Sequence, residues 1–286
     1  MDSDILELVD PQSAAEATPT TEHPEAPALP PIRVPTRHNP TLATLVERVN
    51  ADKELITLWR CANVNSVDRM GRSDHGRVHV QIVANIALKV LRLLIEADVQ
   101  PNVVKDYELR NEDAEVAVFL ASVLHDVGIA VHREDHEQHS LFVAAPKAKE
   151  LLEGLYDVEQ RTIIWSEVMN AIISHNRDVQ CLTLEAGVVK VADALDMSKG
   201  RSRIPFENGQ VNIHSLSAAA IEKVAIDRGE ERPVRIQIDM SNSSGVFQID
   251  ELLKGKIASS GLRDLLEVVG TIRSAEEKRL LKVFRL

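Results

Sequence analysis

The chain has 286 residues, 44% hydrophobic and 27% charged, with aromatics at only 3%; that length suits one large domain, or a medium domain with a smaller partner, around an aliphatic core. Lys and Arg total 33 against 44 Asp and Glu, a net charge of -11. Such a balance repels a phosphate backbone on average, so bulk nucleic-acid binding is disfavoured and a phosphate ligand needs local help from arginine, lysine or a metal.

Cys61 and Cys181 lie far apart without C-x-x-C spacing, which excludes a disulfide framework and a thiolate zinc site and fits a reducing cytosol. The longest nearly unbroken apolar run, Val116 to Leu124, is about half of the roughly 20 residues that a bilayer demands. The N-terminus opens acidic, without the basic segment of a secretory signal. A cytoplasmic protein with no membrane partner is expected.

In chain order, the first forty residues hold Pro11, Pro19, Pro24, Pro27, Pro30, Pro31, Pro35 and Pro40 among Ala, Thr and Glu. Residues 1–38 are therefore expected as a disordered, proline-rich tail, because they cannot bury enough surface to offset their ordering entropy. From Thr41 to about Arg203 apolar residues recur at three- and four-residue spacing, which predicts an all-helical domain over 39–205. Its helices carry Leu42 to Val49, then Ile82 to Leu94. Next come a helix capped by Asn111 through Val123, one capped by Asp157 through Ile173, and one capped by Thr183 through Leu195. After Pro205 the texture becomes alternating, as in Val234, Ile236 and Ile238. A smaller α+β domain over 206–286 is expected, with strands near 211–214, 223–228, 233–240 and 265–273 and helices near 215–222 and 248–259. That order suggests a ferredoxin-like arrangement. The fold class is thus mainly α with a small α+β extension. No internal repeat and no glycine-rich phosphate loop occurs.

The chemistry-bearing signal is histidine: His75, His79, His125, His132, His136, His139 and His175 crowd one stretch of the chain. Imidazole is the commonest neutral nitrogen ligand for transition metals, and Asp supplies a hard oxygen that can bridge two ions. Leu124-His125-Asp126-Val127-Gly128 ends an apolar helix, and only near a helix end can two adjacent side chains both face one pocket. Downstream, Asp193 and Asp196 stand at i and i+3 on one helix, Asp193 between alanines, where an unpaired carboxylate is expensive to bury and a cation would account for it.

The ordered set His79, His125-Asp126 and Asp193 resembles the HD superfamily of metal-dependent phosphohydrolases, over roughly residues 70–205. Binuclear members add two histidines between the His-Asp pair and the last Asp. His136 ahead of Ser140 fits the first, and His175 after Ile172-Ile173-Ser174 fits the second. The resemblance thus implies His79, His125, Asp126, His136, His175 and Asp193 as ligands of two divalent transition metals (Mn, Fe, Ni or Zn), with Asp126 as the bridge. His132 and His139 share the stretch of His136 and compete with it. Members that cleave cyclic dinucleotides carry a lysine where Ile129 stands and a Gly-Tyr-Pro signature where Asn176-Arg177-Asp178 follows His175, so that substrate is not implied. Asp74-His75-Gly76 and the run from Ala192 to Pro205 look like a little-characterised branch with the same C-terminal extension.

The expected activity is cleavage of a phosphoester, a nucleotide or related small phosphate compound, by a metal-activated hydroxide, a route that needs no covalent nucleophile. Asp126, with His132, His139 or Asp196 moving the proton, forms the expected catalytic set. Arg77, Lys190, Arg201 and Arg203 are the expected phosphate-binding groups, with Arg133 and Arg177 weaker candidates. His75 is expected to hold the turn before its helix. Two alternatives share the ligand set: a di-iron centre that activates O₂, and a non-catalytic ligand-sensing module with a structural metal. A homo-oligomer through the C-terminal domain is a further possibility.

Overall fold

Asn39 caps the first helix, accepting from Leu42 N at 2.9 Å, and Pro40 sits at its first turn, where the missing N–H costs nothing. The computed structural model describes residues 30–197, 213–273 and 283–285. Helix α1 (Pro40–Ala51) is followed by α2 (Lys53–Asn63), capped by Asp52, a π-helical turn (Val64–Arg69) and the long α3 (Arg77–Glu96). Then come α4 (Asn102–Tyr107), α5 (Asn111–Leu124), a 3-10 turn (Val127–Ala130), α6 (His136–Leu152), α7 (Val158–Ser174) and α8 (Leu184–Leu195). Asp157 and Thr183 cap α7 and α8 as expected, accepting from Gln160 N at 2.9 Å and Ala186 N at 3.3 Å. At α5 the expected cap is off by one residue. Asn111 is the first helical residue, and Arg110 precedes the helix with its N–H donating to Asp113 Oδ2 at 2.9 Å and its guanidinium Nε donating to the same oxygen at 3.3 Å, contacts that the acidic third position makes possible.

From Val116 onward helix α5 is apolar on nearly every side, and a helix of that kind belongs in the middle of a bundle. All of its residues from Asp113 to Leu124 are buried; α3, α7 and α8 pack around it. By length and composition α3 would also suffice to cross a membrane, but half of that stretch is buried inside the fold and it carries His79. Its apolarity is accounted for by the core.

Residues 31–38, assigned to the tail on composition, are instead laid against the helices. Ile32 is buried, its N–H donates to Asn50 Oδ1 at 2.7 Å and its carbonyl accepts from Asn50 Nδ2 at 2.9 Å, while Arg33 N donates to Gln81 Oε1 at 2.7 Å. Amide side chains here take the place of a neighbouring strand, a device that leaves no periodicity in the sequence. Residues 1–29 of the expected tail lie outside the described residues.

After the helices come α9 (Ile213–Ala219), β1 (Ile221–Arg228), β2 (Val234–Met240), a 3-10 turn (Ser243–Gly245), a π-helical turn (Gln248–Leu253) running into α10 (Lys254–Ser260), β3 (Leu266–Ile272) and β4 (Val283–Arg285). The sheet order is β1-β2-β3-β4. β1 and β2 are antiparallel (Ile226 opposite Ile236), β2 and β3 parallel (Ile236 opposite Val268), and β3 and β4 antiparallel. Mainly α with a small sheet-containing region is therefore the architecture, but two expected details fail. Ile213 and His214 begin a helix rather than end a strand, and a parallel β2–β3 pair between sequence neighbours is not the interleaved order of a ferredoxin-like sheet. The alternation in 234–240 and 266–272 fixes which residues point inward, whereas strand order depends on where the connecting helix docks. Here α10 docks on α8, and the described residues from Pro31 onward make one compact unit.

That docking uses a glycine. A Cβ on Gly187 in α8 would lie 2.3 Å from Ser260 O, so the two helices approach at backbone distance. Gly187→Ala is expected to lower stability by about 1–3 kcal/mol through forced separation of α8 and α10, measured by denaturant unfolding; an unchanged midpoint would contradict this packing.

Candidate metal centre

The six expected ligands come from five helices and meet in one buried place. His79 projects from the first turn of α3. His125 and Asp126 follow the last turn of α5, where the chain leaves the helix and both side chains turn to the same side. His136 opens α6, His175 closes α7 and Asp193 lies in the last turn of α8. The close approach at Gly128 keeps this arrangement tight: a Cβ there would meet His136 O at 2.3 Å and Ser140 N at 2.2 Å, and the Gly128 N–H donates to Ser140 Oγ at 2.9 Å. The small residue after His136 therefore anchors the turn that carries Asp126.

Backbone carbonyls fix the rings. His125 Nδ1 lies 2.8 Å from Ser122 O and His175 Nδ1 lies 2.5 Å from Ile172 O. A carbonyl only accepts, so these nitrogens carry the protons and each Nε2 presents a lone pair. His79 Nδ1 is held likewise by Asp196 Oδ2 at 2.6 Å. The freed lone pairs then face one another and two carboxylates. His79 Nε2 is 3.2 Å from His125 Nε2, 3.3 Å from Asp126 Oδ2 and 3.4 Å from Asp193 Oδ1. On the other side of the same carboxylate, Asp126 Oδ1 is 3.2 Å from His136 Nε2 and 3.6 Å from His175 Nε2, which are 3.2 Å from each other.

Ligand atoms about 2.0–2.2 Å from one transition ion are about 3.0–3.4 Å apart, close to the spacing seen here. Acceptors converging without a donor need a cation between them. Two ligand groups meet this requirement, His79 with His125 and Asp126, and Asp126 with His136 and His175; Asp193 adds an oxygen to the first. The donor set of imidazole and carboxylate fits a divalent transition ion better than a calcium ion.

Without a metal, protons must serve. Burial opposes charge on His125, yet the adjacent Asp126 and Asp193 carboxylates override it and raise the imidazole to about 10. Burial likewise works against ionised Asp126 and Asp193, but His125, its neighbouring histidines and, at Asp193, the Lys256 ammonium hold both well below the usual carboxylate range. His175 moves the other way, lowered by burial, and stays the neutral imidazole that a ligand must be.

Around these ligands stand residues of unequal predictability. Asp196, expected to move a proton, sits behind His79, on the nitrogen facing away from the cluster, and orients that ring. Glu137 stands behind His136, with Oε2 3.1 Å from its Nδ1, and Asn176 Nδ2 donates to Glu137 at 3.1 Å. Arg133 Nη1 lies 2.7 Å from that same Nδ1. His132 is exposed and its Nδ1 accepts from Glu134 N at 3.1 Å, a local turn contact; the buried Nδ1 of His139 has no partner among the described residues. His75 holds the turn before α3, Nδ1 lying 2.9 Å from Ser66 Oγ and 2.8 Å from Ser73 O.

Two expected phosphate-binding groups are engaged elsewhere. Lys190 is fully buried and Nζ donates to Val179 O at 2.5 Å, while Arg77 Nη2 donates to Asn50 Oδ1 at 3.0 Å. One ammonium satisfies a loop carbonyl and one guanidinium a side-chain amide oxygen, partners that helical spacing alone does not reveal. Arg201 and Arg203 lie outside the described residues. Sequence reasoning missed Glu137, Asn176 and Lys256; the first two adjoin identified ligands, and Lys256 carries no local signal.

Two outcomes follow from this geometry. Because the His125 proton persists up to about pH 10 in the metal-free cluster, metal binding displaces it, so apparent Mn²⁺ affinity is expected to rise from pH 6 to 9 with proton release in calorimetry; pH-independent binding would contradict the ring assignments. Asp196→Ala, which frees the His79 ring, is expected to weaken metal affinity about 10–100-fold, read by competition with a chelating indicator.

The HD domain model matches residues 77–198, a span that contains His79, His125, Asp126, His136, His175 and Asp193. An uncharacterized protein of Methanocaldococcus jannaschii is 41% identical over 221 residues, 77% of this chain and 85% of that one. Ribonuclease Y of Rubrobacter xylanophilus is 27% identical over 175 residues, 58% of this chain and 30% of that protein. Ribonuclease Y of Clostridium perfringens is 28% identical over 160 residues, covering 54% and 28%. The chain thus spans less than a third of the ribonucleases it matches. No solved structure matches. With the six His and Asp side chains gathered inside the matched span, this chain belongs to the HD domain family, a family of metal-dependent hydrolases.

Proposed function

We propose that the protein hydrolyses a phosphoester, in a nucleotide or related small phosphate compound, at a binuclear His/Asp centre. One observation carries the reading: Asp126 divides its oxygens, Oδ2 toward His79 and His125 and Oδ1 toward His136 and His175. A carboxylate between two pairs of imidazole lone pairs is suited to bridging two cations. His79, His125, Asp126 and Asp193 would hold one ion and Asp126, His136 and His175 the other. Divalent ions there supply Lewis acidity toward a phosphoryl oxygen and lower the pKa of water toward neutrality.

The chain's own residues supply the preorganisation. Ser122 O, Ile172 O and Asp196 lock three rings with Nε2 inward, so little reorganisation is required when charge develops. Burial of His79, His125, Asp126 and His175 limits solvent and strengthens each electrostatic contact. Of the three expected proton carriers, His132 is held in a local turn and Asp196 orients His79, which leaves His139, half-buried with an unpartnered Nδ1 among the described residues. The ribonuclease Y relatives are by name nucleases acting on RNA, and an RNA phosphodiester offers the same phosphorus. The net charge of -11 favours a small substrate over a polyanion. A cytoplasmic location accords with two unpaired cysteines.

The test is metal content together with Mn²⁺-dependent hydrolysis of nucleotides, cyclic nucleotides, a chromogenic phosphodiester and a short RNA. About two ions per chain, with hydrolysis lost in Asp126→Ala, is the expected result. Two irons per chain with O₂ consumption and no hydrolysis would overturn it in favour of the di-iron reading. A protein that unfolds without metal and turns over nothing would leave a structural-metal module instead.

A further inference from the structure

Asp193 has two oxygens and only Oδ1 faces His79 and His125. The other accepts from the ammonium of Lys256, which arrives from α10, beyond the span matched by the HD domain model. We infer that Lys256 is a phosphate-binding residue of this site, and that the C-terminal region thereby completes the substrate pocket; the substrate class rests on the hydrolase reading above.

A lysine beside a metal ligand is costly if metal binding is the sole purpose, since its charge repels the incoming cation. The carboxylates already suffice for two dications: Asp126 and Asp193 face the cluster, and Asp196 and Glu137 back it. Once these are balanced, the Lys256 charge is in excess, and an anion at the cluster is the group that uses it. The Lys256 side chain is not sealed in the core, being 20% exposed. One carboxylate's width separates it from the imidazole lone pairs, a distance that a phosphate group spans.

Its placement is held firmly. Helix α10 meets α8 at Gly187, Cys181 N donates to Ser259 O at 2.9 Å, and Ser259 Oγ donates to Arg177 O at 3.0 Å. These contacts also bring the exposed Arg177 guanidinium over Gly255, where a Cβ would lie 3.0 Å from its Nε. A second cation thus lies against the residue that precedes Lys256, carried two residues beyond His175. Lys190 and Arg77 are engaged elsewhere, whereas Lys256 is joined to a residue of the cluster itself.

The experiment uses the full chain loaded with Mn²⁺ and inorganic phosphate as the probe, comparing Lys256→Gln, Lys256→Met and Lys256→Arg with the parent by calorimetry and metal analysis. Phosphate affinity is expected to fall about 10–100-fold in the Gln and Met variants, to be largely kept in the Arg variant, and Mn²⁺ content to stay unchanged. On any hydrolysed substrate the loss should appear mainly in KM. Unchanged phosphate affinity in both neutral variants, or a parent protein that binds no phosphate, would overturn the assignment. So would loss of Mn²⁺ from the neutral variants with recovery in Lys256→Arg, which would make Lys256 a positioning residue for Asp193. Phosphate binding that depends on Lys256, in a protein that hydrolyses nothing, would support the assignment while ending the hydrolase reading. Hydrolysis that requires Asp126 but keeps its KM in Lys256→Gln would do the reverse.

Discussion

Four imidazole rings and two carboxylates converge in the interior of this protein, and such a convergence is stable only around positive charge. Protons can provide it, as the raised His125 imidazole and the depressed Asp126 and Asp193 carboxylates indicate. Divalent cations meet the same electrostatic demand with two charges each and without placing donors between the rings. The helical bundle around this point can be understood as the means of keeping unlike helices close enough for the convergence to persist.

Helix ends do most of that positioning. His125 and His175 each sit one residue past a helix, and each ring is tied to a carbonyl three residues back, Ser122 O and Ile172 O. The last carbonyls of a helix have no partner within it, so the same contact satisfies an orphan acceptor and sets a tautomer. The arrangement recurs at α5 and α7 because the physical problem is the same at both. Central burial of α5 makes the first of these ends rigid, since a helix apolar on nearly all sides has no solvent face along which to slide. Gly128 then permits the following turn to lie against α6 at backbone distance, which brings His136 to the far oxygen of Asp126.

The small sheet enters this scheme through its crossover helix rather than through its strands. The β2–β3 connection returns along α8, and a parallel pair of strands requires such a crossover. Docking at Gly187 places α10 beside the helix that carries Asp193, so Lys256 meets a ligand from more than sixty positions away in sequence. A region appended after the metal-binding helices thus contributes charge to the centre itself.

Much of the centre was legible before any coordinates. Helix periodicity, the His-Asp pair at the end of an apolar run, and the carboxylate among alanines are local properties; they sufficed for the helical architecture, and the resemblance to the HD family then supplied the set of residues that converge. Other features were not local. Lys190 and Arg77 look like phosphate ligands in one dimension but satisfy Val179 O and Asn50 Oδ1 in three. Residues 31–38 lack any periodic signal yet pack through the side chains of Asn50 and Gln81. Strand order, and with it the departure from a ferredoxin-like sheet, followed from where α10 docks. Sequence by itself determined the helical phase and, through the resemblance to the HD family, named the six side chains that the fold gathers, because residue type and order are written along the chain. Only the tertiary structure decided which nitrogen faces inward, which oxygen of Asp126 serves which pair, and which lysine reaches Asp193, because those depend on distances between helices that no local preference encodes.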